Sequence, residues 1–147
     1  MEAPKKIKPK GLGDYLEVMS KSVFQSGMSW KVVEAKWDGF RSAFDGFDAE
    51  KVAAYDSKDV ERLVEDKGII RNRRKIEATI HNSQTLLELE DEFGELTKYL
   101  RSHNDFEELV KDLRKRFKFL GDTGTYVFLY VVGEKVPSHG EWMKSRS

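Results

Sequence analysis

The sequence predicts an all-α domain, and three observations carry that expectation. Its prolines stand only at Pro4, Pro9 and Pro137, so the long interval between the last two carries no such helix breaker. Within that interval apolar residues recur at helical spacing in one segment after another. No stretch alternates apolar and polar residues for long enough to build a sheet; only 124–132 tempts a strand reading, and its flanks favour helix.

Taken in order, residues 1–10, with Lys5, Lys6, Lys8 and Lys10, read as a disordered basic tail, which leaves 11–147 as the single domain. Leu16, Met19 and Val23 form the first stripe, and Trp30, Val33, Trp37 and Phe40 a second. A short turn follows Asp48. Val60, Leu63 and Val64 mark a brief helix, and Ile76, Ile80 and Leu87 a longer one. Phe106, Leu109, Val110, Leu113 and Phe117 make the cleanest stripe. Tyr126, Val127, Phe128, Tyr130 and Val131 are apolar nearly all round, which marks the last helix as central. Ser29, Asp48, Ser57 and Asp105 precede first turns and offer side-chain oxygens as caps. Gly27, Gly46, Gly68, Gly94 and Gly121 fall in the breaks, where a positive φ is expected. The sum is about seven or eight short helices with no internal repeat.

Composition narrows the function classes. A chain of 147 residues suits one hydrophobic core. The absence of cysteine excludes disulfides, thiolate metal sites and a cysteine nucleophile. No apolar run approaches the roughly 18 residues of a membrane span, and no signal-peptide core is visible. A soluble, cytoplasmic protein is the expectation. Neither a phosphate-binding P-loop, a dinucleotide fingerprint, a metal-ligand cluster nor a nucleophile elbow occurs, so no cofactor or metal is expected. The 26 basic and 26 acidic residues cancel, but they are segregated. Arg71, Arg73, Arg74 and Lys75 form one basic cluster and Lys111, Arg114, Lys115, Arg116 and Lys118 another, while Glu88, Glu90, Asp91, Glu92 and Glu95 gather the opposite sign. Such a distribution suits a polyanion partner, and equally a set of solvated helix faces.

Three segments carry chemistry. In Phe117-Lys118-Phe119-Leu120-Gly121-Asp122-Thr123-Gly124, an amphipathic helix enters a glycine-containing turn and an apolar helix begins at once. That arrangement resembles a helix–hairpin–helix, in which turn N–H groups and the positive end of the second helix meet a DNA phosphate. Lys118, Phe119, Gly121 and Thr123 are the candidate DNA contacts, and the preceding basic cluster supports them. In Phe24-Gln25-Ser26-Gly27-Met28-Ser29-Trp30, an exposed turn brings a flexible apolar side chain close to an aromatic. An enzyme that acts on a base inside a duplex needs both an apolar wedge and a stacking wall. Met28, between Gly27 and Ser29, suits the first role and Trp30 the second; Trp30 also fits a plain core position at the head of its stripe. The third segment, Ile69-Ile70-Arg71-Asn72-Arg73-Arg74-Lys75-Ile76, suits a helix start presented to phosphates or an ordinary solvated face.

The run Gln25-Ser26-Gly27-Met28-Ser29-Trp30, then Phe47-Asp48 with Lys51-Val52-Ala53-Ala54, then Asp59-Val60-Glu61-Arg62-Leu63-Val64, Gly68-Ile69-Ile70-Arg71 and Lys75-Ile76 resembles the DNA-3-methyladenine glycosylase I family of the helix–hairpin–helix superfamily. Phe117-Lys118-Phe119-Leu120-Gly121 is similar to that family's hairpin, and the resemblance spans 14–132. It implies an all-helical enzyme of base-excision repair that flips an alkylated purine, 3-methyladenine above all, out of duplex DNA and hydrolyses its N-glycosidic bond. The implied partner is double-stranded DNA with damaged bases, met by a monomer. Trp30 falls where the family stacks the base, Met28 where a leucine plugs the gap, and Gln25 in the same block.

The departures are specific. The family's glutamate that reads the alkylated base is Ser22 here, and its N-terminal aromatic block is replaced by Lys8-Pro9-Lys10-Gly11-Leu12-Gly13-Asp14-Tyr15. Its zinc site of two cysteines and two histidines has no counterpart, since this chain has only the scattered His81, His103 and His139. The superfamily's aspartate column falls at Gly140, beside Glu141, which could serve as the carboxylate over the sugar or be a surface residue of the tail. His139 next to it suggests an acid/base pair. Glu17, matched in the family, is the second catalytic candidate. Thr123 stands where strand-cleaving members carry a lysine, which implies a monofunctional enzyme. Two rival readings remain at this level: a lesion-binding module without excision, and a helical interaction domain that uses the acidic 88–95 face.

Overall fold

A computed structural model describes residues 4–145 of the chain. Ten α-helices and one 3-10 turn form a single helical layer system, with no strand among the described residues. The organising element is α6 (Arg73–Phe93), a 21-residue helix against which α1 (Leu12–Gln25), α4 (Ala49–Ala53), α5 (Ser57–Val64) and α7 (Leu96–Leu100) pack. On its other flank α1 packs against α9 (Asp122–Val131), and α8 (Phe106–Arg116) packs on α9 in turn. The remaining helices are α2 (Trp30–Ala35), α3 (Trp37–Ala43) and α10 (His139–Ser145).

Aromatic residues build the core beneath α1. Phe24, Phe40, Phe44 and Phe47 are fully buried, and Trp37 stacks on Phe47 with ring centroids 5.4 Å apart. Burying each such side chain contributes roughly 1.5–3 kcal/mol. The stripe Trp30, Val33, Trp37 and Phe40 does not form one helix as the periodicity predicts. It breaks at Lys36 (φ −100°, ψ 3°) into α2 and α3, so that Trp37 turns into the core while Trp30 stays half-buried.

Caps follow the sequence in part. Asp48 and Asp105 accept from the Lys51 and Glu108 N–H groups. Ser29 sits at the N-cap of α2 without a side-chain bond. The cap of α5 is Asp56 rather than Ser57: Asp56 accepts from Asp59 N–H while Asp59 accepts from Asp56 N–H, a reciprocal pair that serine one residue later cannot make. Gly27, Gly46 and Gly94 adopt positive φ, but Gly68 does not, and Gly121 has φ −83°. Proximity there requires a different glycine, Gly39, since a Cβ on it would stand 2.1 Å from the Gly68 carbonyl oxygen. In the turn before α9 the left-handed residue is Phe119, at φ +58°.

Residues 4–10 carry no regular secondary structure and run along α9: Ile7 N–H donates to Val131 O at 2.8 Å, and Lys6 Nζ lies 4.7 Å from the Tyr130 ring centroid. Residues 1–3 of the expected tail lie outside the described residues. No helix among the described residues is long and apolar enough to cross a membrane.

Candidate nucleic-acid interface and base pocket

The two turns that the sequence singles out come together in space. A cleft of about 530 Å³ has Ser26, Gly27 and Met28 on one wall and Phe119, Gly121 and Thr123 on the other. It opens into a larger cleft of about 960 Å³, lined among others by Glu17, Lys21, Glu34, Arg41 and Val131. Ser22, Gln25, Trp30 and Val127 line both. The candidate substrate residues Ser22, Gln25 and Trp30 are thereby brought to one place, from α1 and the start of α2. Ser22 and Gln25 are polar side chains only 6% and 9% exposed, so the floor of the pocket can hydrogen-bond a guest without admitting much water.

Glu17 stands in the larger cleft, and its carboxylate is held in place. Trp37 Nε1–H donates to Glu17 Oε2 at 2.8 Å, and Arg41 Nε–H donates to the same oxygen at 2.6 Å. Oε1 has no protein partner among the described residues. The contact raises the Arg41 pKa through the hydrogen bond and the charge of Glu17. At the rim Lys21 pairs with Glu34, joining α1 to α2. Glu141, the other carboxylate candidate, lines neither cleft. It lies exposed on α10, which is docked by Trp142 stacking on Tyr126 at 4.5 Å, whereas α9 faces the cleft with Val127 and Val131. The His139 side chain lies outside the described residues.

Both turns are tied to α6. Lys75, expected among cations facing phosphates, is instead 5% exposed, and its Nζ donates to Phe24 O at 3.2 Å and Ser26 O at 2.6 Å. The ammonium thus satisfies carbonyls at the C-terminal end of α1, the negative end of that helix, and fastens the turn that carries Met28. Burial pushes its pKa down. Two turns further along the same face, Asn82 clamps the other loop: Lys118 N–H donates to Asn82 Oδ1 at 2.8 Å, and Asn82 Nδ2–H donates to Lys118 O at 3.0 Å. Sequence reasoning missed both roles. A lysine in the first turn of a helix, where the dipole disfavours it, was the available signal for Lys75; nothing local marked Asn82.

The basic clusters are partly neutralised. Arg73 pairs with Glu61, Arg114 with Asp122 and Arg116 with Asp112. Lys118 remains exposed in the α8–α9 turn, and Lys111 and Lys115 remain exposed on α8. No side chain caps the N-terminus of α9, which begins at this cleft.

A family model described as methyladenine glycosylase matches residues 13–113, from α1 through most of α8. The chain belongs to the methyladenine glycosylase family. Relatives agree with this. DNA-3-methyladenine glycosylase 1 of Escherichia coli is 38% identical, with 74% of this chain and 70% of that protein covered. DNA-3-methyladenine glycosylase of Haemophilus influenzae is 31% identical at the same coverage. Among solved structures, a single-substitution variant of 3-methyladenine DNA glycosylase I in complex with 3-methyladenine matches with a TM-score of 0.77 and 27% identity, covering 88% of this chain and 81% of that one. The all-helical, single-domain architecture is that of the methyladenine glycosylases.

Proposed function

We propose that this methyladenine glycosylase removes an alkylated purine, 3-methyladenine first, from duplex DNA by hydrolysing the N-glycosidic bond. The observation that carries the reading is the convergence of a half-buried tryptophan, a polar pocket floor and two protruding turns on one continuous cleft. Lys118 and the uncapped start of α9 hold the DNA backbone, with the Asp122 carboxylate there neutralised by Arg114 at 2.8 Å. Gly27 and Ser29 let the Met28 side chain reach the stack and fill the gap left by the flipped nucleotide.

The extruded base stacks on Trp30, and Ser22 and Gln25 meet its polar edge. An adenine methylated at N3 is cationic, which favours the face of an indole ring. The same charge makes it a good leaving group: cleavage of the C1′–N9 bond returns the electron pair to the ring and releases a neutral base. The sugar becomes an oxocarbenium-like cation, to which water adds and from which a proton departs. Glu17 supplies the fixed negative charge that this cation needs, its orientation set by Trp37 and Arg41. Uncharged bases of intact DNA lack the leaving-group advantage and are left alone. The protein works as a monomer in the cytoplasm, with the genomic DNA.

The test is release of free base from methylated duplex by the purified protein. Wild type releases 3-methyladenine, and Trp30→Ala lowers excision by more than about tenfold while duplex binding persists. Tight binding to abasic duplex with no base released would replace this reading with a lesion-binding module. Absence of duplex affinity even at low salt would point to the interaction domain.

A further inference from the structure

Large apolar side chains with substantial exposure are few among the described residues: Ile7, Met28, Val32 and Phe119. Three of them line the joined clefts, and Met28 and Phe119 do so on facing turns. Phe119 is the most costly of these to display. Its backbone is left-handed, at φ +58°, a conformation that glycine or asparagine adopts readily and a phenylalanine does not. Its neighbours Phe117 and Leu120 are 3% and 4% exposed, buried in the core, while Phe119 between them is 42% exposed. The Asn82 clamp on Lys118 fixes the backbone immediately before it. Every local constraint holds one aromatic ring out of the protein at the edge of the cleft.

We propose that Phe119 is a second wedge, which packs against the base step opened by flipping, across from Met28, so that two apolar tips hold the duplex apart. The proposal rests on the glycosylase reading above for its partner, and assigns to the α8–α9 turn a role beyond holding phosphates. An aromatic ring on a short, strained turn loses little conformational freedom when it stacks, unlike the flexible methionine facing it. Exposed Lys118 beside it gives the turn the positive charge that keeps a phosphate backbone close.

The experiment compares wild type, Phe119→Gly, Phe119→Leu and Met28→Ala on duplexes carrying 2-aminopurine next to a stable abasic site, with melting temperatures and excision from methylated duplex read alongside. Glycine is the decisive substitution because it relieves the backbone strain, and an undiminished melting temperature then separates loss of function from failure to fold. The expected result is a melting temperature equal to or above wild type, a fluorescence rise on binding that is largely lost, and excision about tenfold lower. Phe119→Leu restores part of both. A Phe119→Gly protein that still unstacks 2-aminopurine and excises at the wild-type rate overturns the wedge while leaving the glycosylase reading intact. Unstacking by wild type without any base release has the converse meaning: the wedge stands and the glycosylase reading fails.

Discussion

Asn82 holds both hydrogen-bonding groups of the Lys118 backbone with its one side-chain amide, although 36 residues separate the two in the chain. Asn82 is 1% exposed, so neither bond has water as a ready substitute. Its neighbour His81 contacts Arg116 O at 3.2 Å, which extends the grip to the end of α8. The α8–α9 turn is therefore anchored on α6, and its exposed residues project from a fixed base.

Removing that anchor has a defined cost. Asn82→Ala leaves the Lys118 backbone groups without their partner, a loss of about 1–3 kcal/mol. Thermal unfolding should register the destabilisation, and binding to abasic duplex should weaken in parallel. Asn82→Asp keeps the acceptor but buries a carboxylate oxygen against the Lys118 carbonyl, and should cost at least as much as alanine.

The equivalent anchor for the Met28 turn is Lys75. In Lys75→Met the aliphatic stem is kept and the two bonds to Phe24 O and Ser26 O are lost. The carbonyls are left unpaired at a cost again of about 1–3 kcal/mol, offset in part because a desolvated ammonium is also removed. Excision should therefore drop more than stability does. A kcat loss no larger than the loss in folded fraction would confine Lys75 to a purely structural role.

The two carboxylate candidates separate by position. Glu17→Gln keeps an oxygen for Trp37 Nε1–H but removes the charge, and should lower kcat by at least about tenfold with little change in abasic-duplex binding. Glu141→Gln, on exposed α10 away from both clefts, should stay within about threefold of wild type. Single-turnover excision of the two variants side by side measures the difference directly.

Acid stability should depend on Asp112. Its carboxylate accepts from Tyr99 OH at 2.6 Å, His103 Nε2 at 3.0 Å and Arg116 Nε at 3.0 Å. Burial acts to raise its pKa, but these bonds together hold it below the usual carboxylate range. A depressed folded-state pKa means that the unfolded chain binds the proton more readily. The stabilisation is complete above the unfolded value of about 3.9 and is lost as pH falls through the folded value. Asp112→Asn should thus lower the melting temperature clearly at neutral pH, and the gap to wild type should narrow below about pH 4.

The sequence by itself determined the all-α class, the position of most helices, and the two turns that flank the cleft. Those features are written locally: helical spacing of apolar residues, aspartates before first turns, and glycine at Gly27, Gly46 and Gly94, whose φ is positive. Where a cap or a turn had competing local solutions, the expectation missed by a residue or two, as with Asp56 for Ser57 and Phe119 for Gly121. The break at Lys36 was hidden because the apolar spacing continues across it, and only packing of Trp37 on Phe47 divides the stripe. Tertiary structure alone decided which charged residues are available to solvent. Lys75 looks like a surface charge in a linear reading, yet it closes the end of α1; Glu17 is a catalytic candidate by resemblance, but only the fold shows it fixed by Trp37 and Arg41 inside the cleft. Partners so distant in sequence leave no periodic signal, because a hydrogen bond across the fold depends on where two helices meet rather than on the spacing within either one.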